Sequence, residues 1–137
     1  MCDVISVTWR ELPETLIEQN KLTPFDRGNG EPEYHFAFRE HTPRLPVWTE
    51  GQLLILPWAG YCPKEALEAG RWSERQPIPI VIPASLCCDK GIWFLVREGI
   101  HGILVGRHTY LLTEPASHYY RIMTRHERMP VLIGEGI

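Results

Sequence analysis

Hydrophobic and polar residues alternate at the start of the chain, and this pattern predicts a sheet-forming protein. Residues 3–9 (DVISVTW) alternate and include β-branched side chains, which is typical of a strand that starts almost at Cys2. Residues 12–19 follow, with Pro13 at a favoured helix-start position, and predict a short helix. The polar, turn-rich residues 23–33 predict a surface loop. A strand at residues 3–9 would hold the N-terminus inside the fold.

The middle of the chain contains longer apolar segments. Residues 34–38 and 47–48 predict extended segments on either side of a proline-punctuated link. The near-continuous apolar run 52–58 predicts a buried strand, with Trp58 in the core. Residues 63–70 begin with proline and end with glycine, and therefore predict a helix of about two turns.

The second half of the chain predicts a series of short strands. These lie at residues 78–82, 91–96, 100–105, 108–112 and 131–133, with glycines near several of the breaks. Pro79 favours an edge position for the first of them, because proline cannot donate a ladder hydrogen bond. Residues 114–123 predict a helix with Thr113 as its N-cap. The pattern predicts an α+β protein with a dominant antiparallel sheet.

Composition restricts the class of protein further. A chain of 137 residues is expected to form one domain, residues 1–137, and no apolar run approaches the ~18 residues of a membrane span. The absence of a signal-peptide pattern predicts a protein that is neither secreted nor membrane-bound. The four cysteines (Cys2, Cys62, Cys87 and Cys88) lack metal-binding spacing and are interpreted as reduced thiols. The histidines show no paired ligand spacing, so no metal is assigned.

The formal net charge of −3 gives the protein no overall attraction to nucleic acid. Any contact with DNA would therefore have to come from a local basic patch.

The second residue is the first candidate for chemistry. Removal of Met1 would leave Cys2 with a free α-amine beside its thiol. Both groups are nucleophiles that are partly deprotonated near neutral pH, and together they can close on an aldehyde to form a thiazolidine ring. The alternative is an ordinary residue in a frayed terminus.

Both ends of the chain resemble one family. The segments 111–116 (LLTEPA) and 126–133 (HERMPVLI), together with the Met-Cys start, resemble the SOS response-associated peptidase (SRAP) family, which shields abasic sites in single-stranded DNA. Weaker similarities lie between the ends, at residues 34–37 (YHFA), 45–47 (LPV), 56–60 (LPWAG), 82–84 (IPA) and 102–104 (GIL). The resemblance implies a barrel-like, mainly antiparallel domain with a few short helices.

The resemblance also implies a mechanism. The α-amine of Cys2 would form an imine with the open-chain aldehyde of an abasic site, and the thiol would then close the ring. His126 matches the family's histidine and would transfer protons; the alternative is a structural histidine at a helix C-terminus. The family's catalytic glutamate falls on Asp89 in an ungapped alignment and on Phe94 if the aromatic strands are matched. Asp89 could instead be a turn residue, because Lys and Gly follow it.

The same resemblance suggests contacts with DNA. Arg75 and Arg128 match arginines of family motifs, Arg71 lies close by, and Ser73 stands where the family has asparagine. Trp72 could stack on an unpaired base, a contact worth about 1–3 kcal/mol. The expected partner is single-stranded DNA with abasic sites, and no cofactor is implied. We expect a monomer in the cytoplasm, associated with the nucleoid if the protein is bacterial.

Three functions from different classes remain open at this point. The first is a covalent abasic-site sensor, with cross-linking and a possible lyase reaction. The second is a binding module that has lost the family's acid/base residue and contacts single-stranded DNA without chemistry. The third is a thiol autopeptidase or related hydrolase that uses Cys2 and His126 as nucleophile and base.

Overall fold

The structure, a computed structural model, describes residues 1–134, and most of their secondary structure is β-strand. The strands are β1 (Val4–Thr8), β2 (Glu33–Ala37), β3 (Arg44–Thr49), β4 (Gln52–Pro63), β5 (Ile78–Ile82), β6 (Leu86–Asp89), β7 (Ile92–Leu95), β8 (Ile100–Val105), β9 (His108–Pro115) and β10 (Arg128–Pro130). The helices are α1 (Glu14–Gln19), α2 (Lys64–Glu68) and α3 (His118–Thr124), with 3₁₀ turns at Trp9–Glu11 and Ser73–Arg75. The α+β class predicted from the sequence is confirmed.

Four strands form an antiparallel sheet in the order β2-β1-β6-β7. The central strand β1 places Ile5 opposite Phe36 on one side and opposite Cys87 on the other. These three side chains are buried and share one face, because residues directly opposite each other in a ladder point the same way. The N-terminal strand is therefore held between two neighbours.

The other sheet closes into a barrel of five strands. Its order is β9-β4-β3-β5-β8, and a further pairing of β8 with β9 completes the ring. Strands β4 and β9 run parallel, whereas the other strand pairs of the described chain run antiparallel. The last part of β9 also pairs with β10, which places the segment after α3 against the barrel. The barrel-like architecture expected from the family resemblance is thus present.

The barrel and the four-stranded sheet share one main core. Its largest fully buried side chains include Trp58, Tyr120, Leu45, Ile82 and Leu111. Trp58 is 2 % exposed, as the apolar run in β4 predicted. The core reaches the N-terminus, because Cys2 has no exposed surface.

Two predicted features near β5 and α3 were wrong. Strand β5 is not an edge strand, because it pairs with β8 along its length and with β3 at Val81. Helix α3 begins after Ser117, whose hydroxyl accepts from the Tyr120 N–H, and Thr113 is not its cap. Residue 114 precedes Pro115, which disfavours the helical conformation, and residues 113–115 pair with β10 instead.

Strand boundaries also differed from the prediction. Strand β6 (Leu86–Asp89) was not predicted, and the last strand lies at Arg128–Pro130 rather than at residues 131–133. Leu132 still forms an isolated bridge with Ile100, so the chain beyond β10 stays against the barrel. Pairing partners, rather than local apolar character, decided these boundaries.

Candidate functional site

The N-terminal residues are fixed beyond the end of β1. The Asp3 N–H donates to the Cys88 carbonyl at 3.1 Å, and the Phe38 N–H donates to the Asp3 carbonyl at 2.9 Å. The Tyr61 hydroxyl, from β4 of the barrel, donates to the Cys2 carbonyl at 2.7 Å. Because neighbours on both sides hold this backbone, Cys2 lies inside the fold and is not part of a frayed terminus.

Asp89 is buried at the end of β6, beside a tight turn. The turn residues Lys90 and Gly91 both have positive φ angles, of 50° and 81°, as two-residue hairpin turns require. Asp89 itself pairs with Ile92 in the ladder and is 1 % exposed. The sequence correctly indicated a turn here, but the turn begins after Asp89 and leaves its carboxylate facing inward.

The Asp89 carboxylate accepts from Tyr120 of α3 and is approached by His126. The Tyr120 hydroxyl donates a hydrogen bond to Oδ2. The ring Nδ1 of His126 lies 2.8 Å from Oδ1 and 3.0 Å from Oδ2. Helix α3 ends at Thr124, and the next residue, Arg125, has the left-handed conformation, which turns the chain back before His126.

The α-amine completes this group, which we call the amine site (the Met1 α-amine, Asp89, Tyr120 and His126). The Met1 α-amine lies 2.7 Å from Asp89 Oδ2 and also contacts His126 Nδ1. A neutral Nδ1 can accept from the ammonium, whereas a protonated Nδ1 donates to Asp89. The arrangement therefore joins an amine, a carboxylate and an imidazole at distances that allow proton transfer between them.

The Cys2 thiol lies next to the amine site but is not bonded to its histidine. Its Sγ donates to the Val4 carbonyl at 3.1 Å, and no hydrogen bond to His126 occurs within residues 1–134. The Cys87 thiol neighbours Cys2; burial, followed by its contact with Cys2, raises the pKa of Cys87. Both thiols are without exposed surface while Met1 is in place.

The two tyrosines at the site stay protonated. Burial raises the pKa of Tyr120 above its ordinary value, and the hydrogen bond to Asp89 raises it further. Burial also raises the pKa of Tyr61, with smaller contributions from the nearby acidic groups. Both hydroxyls therefore act as fixed donors, one to the Asp89 carboxylate and one to the Cys2 carbonyl.

Most of the residues predicted to bind DNA lie together after α2. Trp72 packs edge-on against Tyr110, with ring centroids 4.9 Å apart, and the Arg75 guanidinium lies 4.4 Å above the Trp72 ring. The Ser73 hydroxyl donates to the Gly70 carbonyl, and Arg71 is exposed. Their contacts with one another do not test a role in DNA binding, which stays a prediction.

Arg128 is occupied by other partners. Its guanidinium donates to both oxygens of Glu65, at 2.6 and 3.0 Å, and to the carbonyl and hydroxyl of Thr113. The hydrogen bond from Arg128 lowers the pKa of Glu65 to about 2. These contacts join β10, β9 and α2, and a phosphate would have to compete with Glu65 for this arginine.

Sequence reasoning selected Cys2, Asp89 and His126 but missed both tyrosines. Phe94, the alternative to Asp89, is buried against Tyr120 and carries no titratable group. Tyr61 and Tyr120 are unremarkable in the sequence, because their roles depend on partners 59 and 31 residues away. The only available signal was that Tyr120 lies in the predicted helix just before His126.

No family model, curated protein or solved structure matches this chain. The resemblance to the SRAP family therefore rests on the sequence segments quoted above. Within residues 1–134, no helix is long and apolar enough to cross a membrane. The same residues contain no group of three or more His, Cys, Asp or Glu side chains arranged to hold a metal ion.

Proposed function

We propose that the protein captures the aldehyde of an abasic site in single-stranded DNA through the α-amine and thiol of Cys2, after removal of Met1. The observation that carries the proposal is the contact of the Met1 α-amine with Asp89 and His126, one residue before Cys2 in the chain. An amine held against a carboxylate and an imidazole has the proton donors and acceptors that imine formation requires.

Removal of Met1 would create space as well as a nucleophile. The free α-amine would move one residue along the chain, to Cys2, whose carbonyl is held by Tyr61. The position that the Met1 amine occupies, 2.7 Å from Asp89, would become vacant in front of the new amine. An aldehyde carbonyl in that position would meet both Asp89 and His126.

The covalent steps balance without an external oxidant or reductant. The Cys2 amine adds to the aldehyde carbon, and loss of one water gives the imine. The thiol sulfur then adds to the imine carbon while its proton passes to the nitrogen, which closes the thiazolidine. Asp89 and His126 can remove and return protons during the dehydration, and ring opening of the sugar needs the same kind of transfer.

The binding-only alternative makes the amine site purely structural. It would explain the burial of the Cys2 thiol, and single-stranded DNA would then bind through surface cations. Under this alternative, salt-sensitive binding would be the same in the Cys2→Ala variant as in the wild type.

The peptidase alternative has less support from the geometry. A thiol nucleophile needs its base within hydrogen-bond reach, but the Cys2 thiol donates to the Val4 carbonyl and His126 faces Asp89. Turnover of peptides in the absence of any DNA adduct would favour this alternative.

The deciding experiment mixes the protein with single-stranded DNA that carries one abasic site and resolves the products on a denaturing gel. The intact mass of the protein first establishes whether Met1 is absent. We expect a shifted band that disappears in Cys2→Ala and forms more slowly in His126→Ala. Absence of the band from a protein that begins at Cys2 would contradict the proposal.

A further inference from the structure

The two acid/base candidates of the amine site each have an exposed cation as their neighbour in the chain. Lys90 follows Asp89, and Arg125 precedes His126. Lys90 and Arg125 both have positive φ angles, of 50° and 60°, so the backbone reverses direction at each of them. Their side chains therefore lie at the surface, whereas those of Asp89 and His126 face the site.

The Lys90 ammonium also lies close to the backbone of Arg125. The Lys90 ammonium is 3.4 Å from the Arg125 carbonyl, which links the β6–β7 turn to the end of α3. That contact uses one of the three N–H donors of the ammonium and none of those of the Arg125 guanidinium. The remaining donors are available to a ligand at the edge of the amine site.

Neighbouring carboxylates do not neutralise the pair. Within residues 1–134, neither Lys90 nor Arg125 makes an ion pair, whereas nearby Asp3 faces Arg39 and Glu127 faces Arg121, each at 3.7 Å. Two exposed cations without a paired carboxylate thus lie at the surface next to the amine site.

We propose that Lys90 and Arg125 form a phosphate-binding pair that holds the phosphodiesters next to the captured sugar. This inference rests on the proposed function, and it names a DNA contact different from the one suggested by the sequence, around Trp72 and Arg75. An arginine fork and a lysine ammonium are the usual partners of phosphate oxygens. Their position would deliver the aldehyde to the amine.

The test measures the binding of an intact single-stranded oligonucleotide, without an abasic site, by fluorescence anisotropy over a range of salt concentrations. Lys90→Asn and Arg125→Asn are combined, because asparagine is neutral and tolerates positive φ. Loss of two phosphate contacts lowers the slope of log affinity against log salt by about 1.4. Between 50 and 200 mM salt, the ratio of the wild-type affinity to that of the double variant should therefore fall by about seven-fold.

Arg107→Ala serves as the control, because Arg107 is an exposed cation in the β8–β9 turn, at the far end of β9 from β10. A slope in the double variant equal to that of Arg107→Ala, or wild-type binding that does not depend on salt, would overturn the inference. Thermal melting confirms that each variant is folded.

The same proteins are then tested with the abasic oligonucleotide at saturating concentration. A reduced slope without any covalent adduct would leave the phosphate site standing and remove the proposed function. A covalent adduct together with an unchanged slope would support the proposed function and overturn the phosphate site.

Discussion

Two buried carboxylates in this protein each contact a histidine, yet their surroundings differ. Glu33 lies on β2 and is 4 % exposed, and Asp89 lies at the end of β6 and is 1 % exposed. His35 approaches Glu33 at 2.7 Å, and His126 approaches Asp89 at 2.8 Å. The difference between the two groups lies in their remaining partners.

Glu33 is bound by a permanent cation. The Arg27 Nε donates to both carboxylate oxygens, at 2.8 and 2.9 Å, while Ser6 and His35 also bond to the carboxylate. The Arg27 guanidinium lies 4.6 Å above the Trp93 ring, which helps to fix it. Burial by itself would raise the pKa of Glu33, but the hydrogen bonds from His35, Ser6 and Arg27 outweigh burial and lower it.

Asp89 instead has partners that can exchange protons. Its oxygens contact a terminal amine and an imidazole, and a tyrosine hydroxyl donates to one of them. Because arginine keeps its proton at any ordinary pH, the positive charge that Arg27 places against Glu33 is permanent and favours a structural role for that group. The amine and the imidazole that face Asp89 are both groups that can accept and release protons, so similar geometry there can support chemistry. The remaining partners of the carboxylate therefore distinguish the two carboxylate–histidine contacts.

The largest expected effect is on the rate of covalent capture, which should depend on Asp89 but not on Glu33. In Asp89→Asn, the rate of covalent capture of an abasic oligonucleotide should fall by about 100-fold, because a positioned acid/base group contributes at least that much. Glu33→Gln should leave the rate unchanged. Time courses on denaturing gels measure both rates, and equal losses in the two variants would contradict the distinction.

The next effect is on stability. Glu33→Ala should lower the free energy of unfolding by about 2 kcal/mol, because it leaves the buried Ser6 hydroxyl and the partly exposed Arg27 guanidinium without their acceptor. Glu31→Ala is the matched control, since the Glu31 side chain is 41 % exposed and its pair with exposed Arg10 should contribute less than about 1 kcal/mol. Urea unfolding at pH 7 compares the two, and similar losses would argue against a structural role specific to Glu33.

The smallest effect is the pH dependence of stability. Because the folded-state pKa of Glu33 is lowered, its contribution is complete above the unfolded-state pKa and is lost as pH falls through the folded-state pKa. We expect the unfolding free energy of the wild type to decrease below about pH 4.5, and the decrease to be shallower in Glu33→Gln. Parallel pH profiles of the two proteins would show that other groups cause the decrease.

Elements with strong local signals could be predicted from the sequence. Strands β1, β4 and β8 follow apolar patterns, and α2 lies between a proline and a glycine, so local propensity and tertiary structure agreed. Strand β6 and the true start of α3 were missed, because neighbouring strands determine them. Cys2, Asp89 and His126 were selected from chemistry and resemblance, whereas the Glu33 group was not foreseen.

By itself, the sequence determined the α+β class, the buried position of Trp58 and the start of a strand directly after the N-terminus. These follow from residue type and periodicity, which act over a few neighbouring positions. Only the tertiary structure decided that Asp89 faces the α-amine and His126. It also decided that Tyr120 donates to Asp89 and that Tyr61 donates to the Cys2 carbonyl. The residues of that site are separated by up to 125 positions in the chain, so their meeting depends on sheet register and barrel closure.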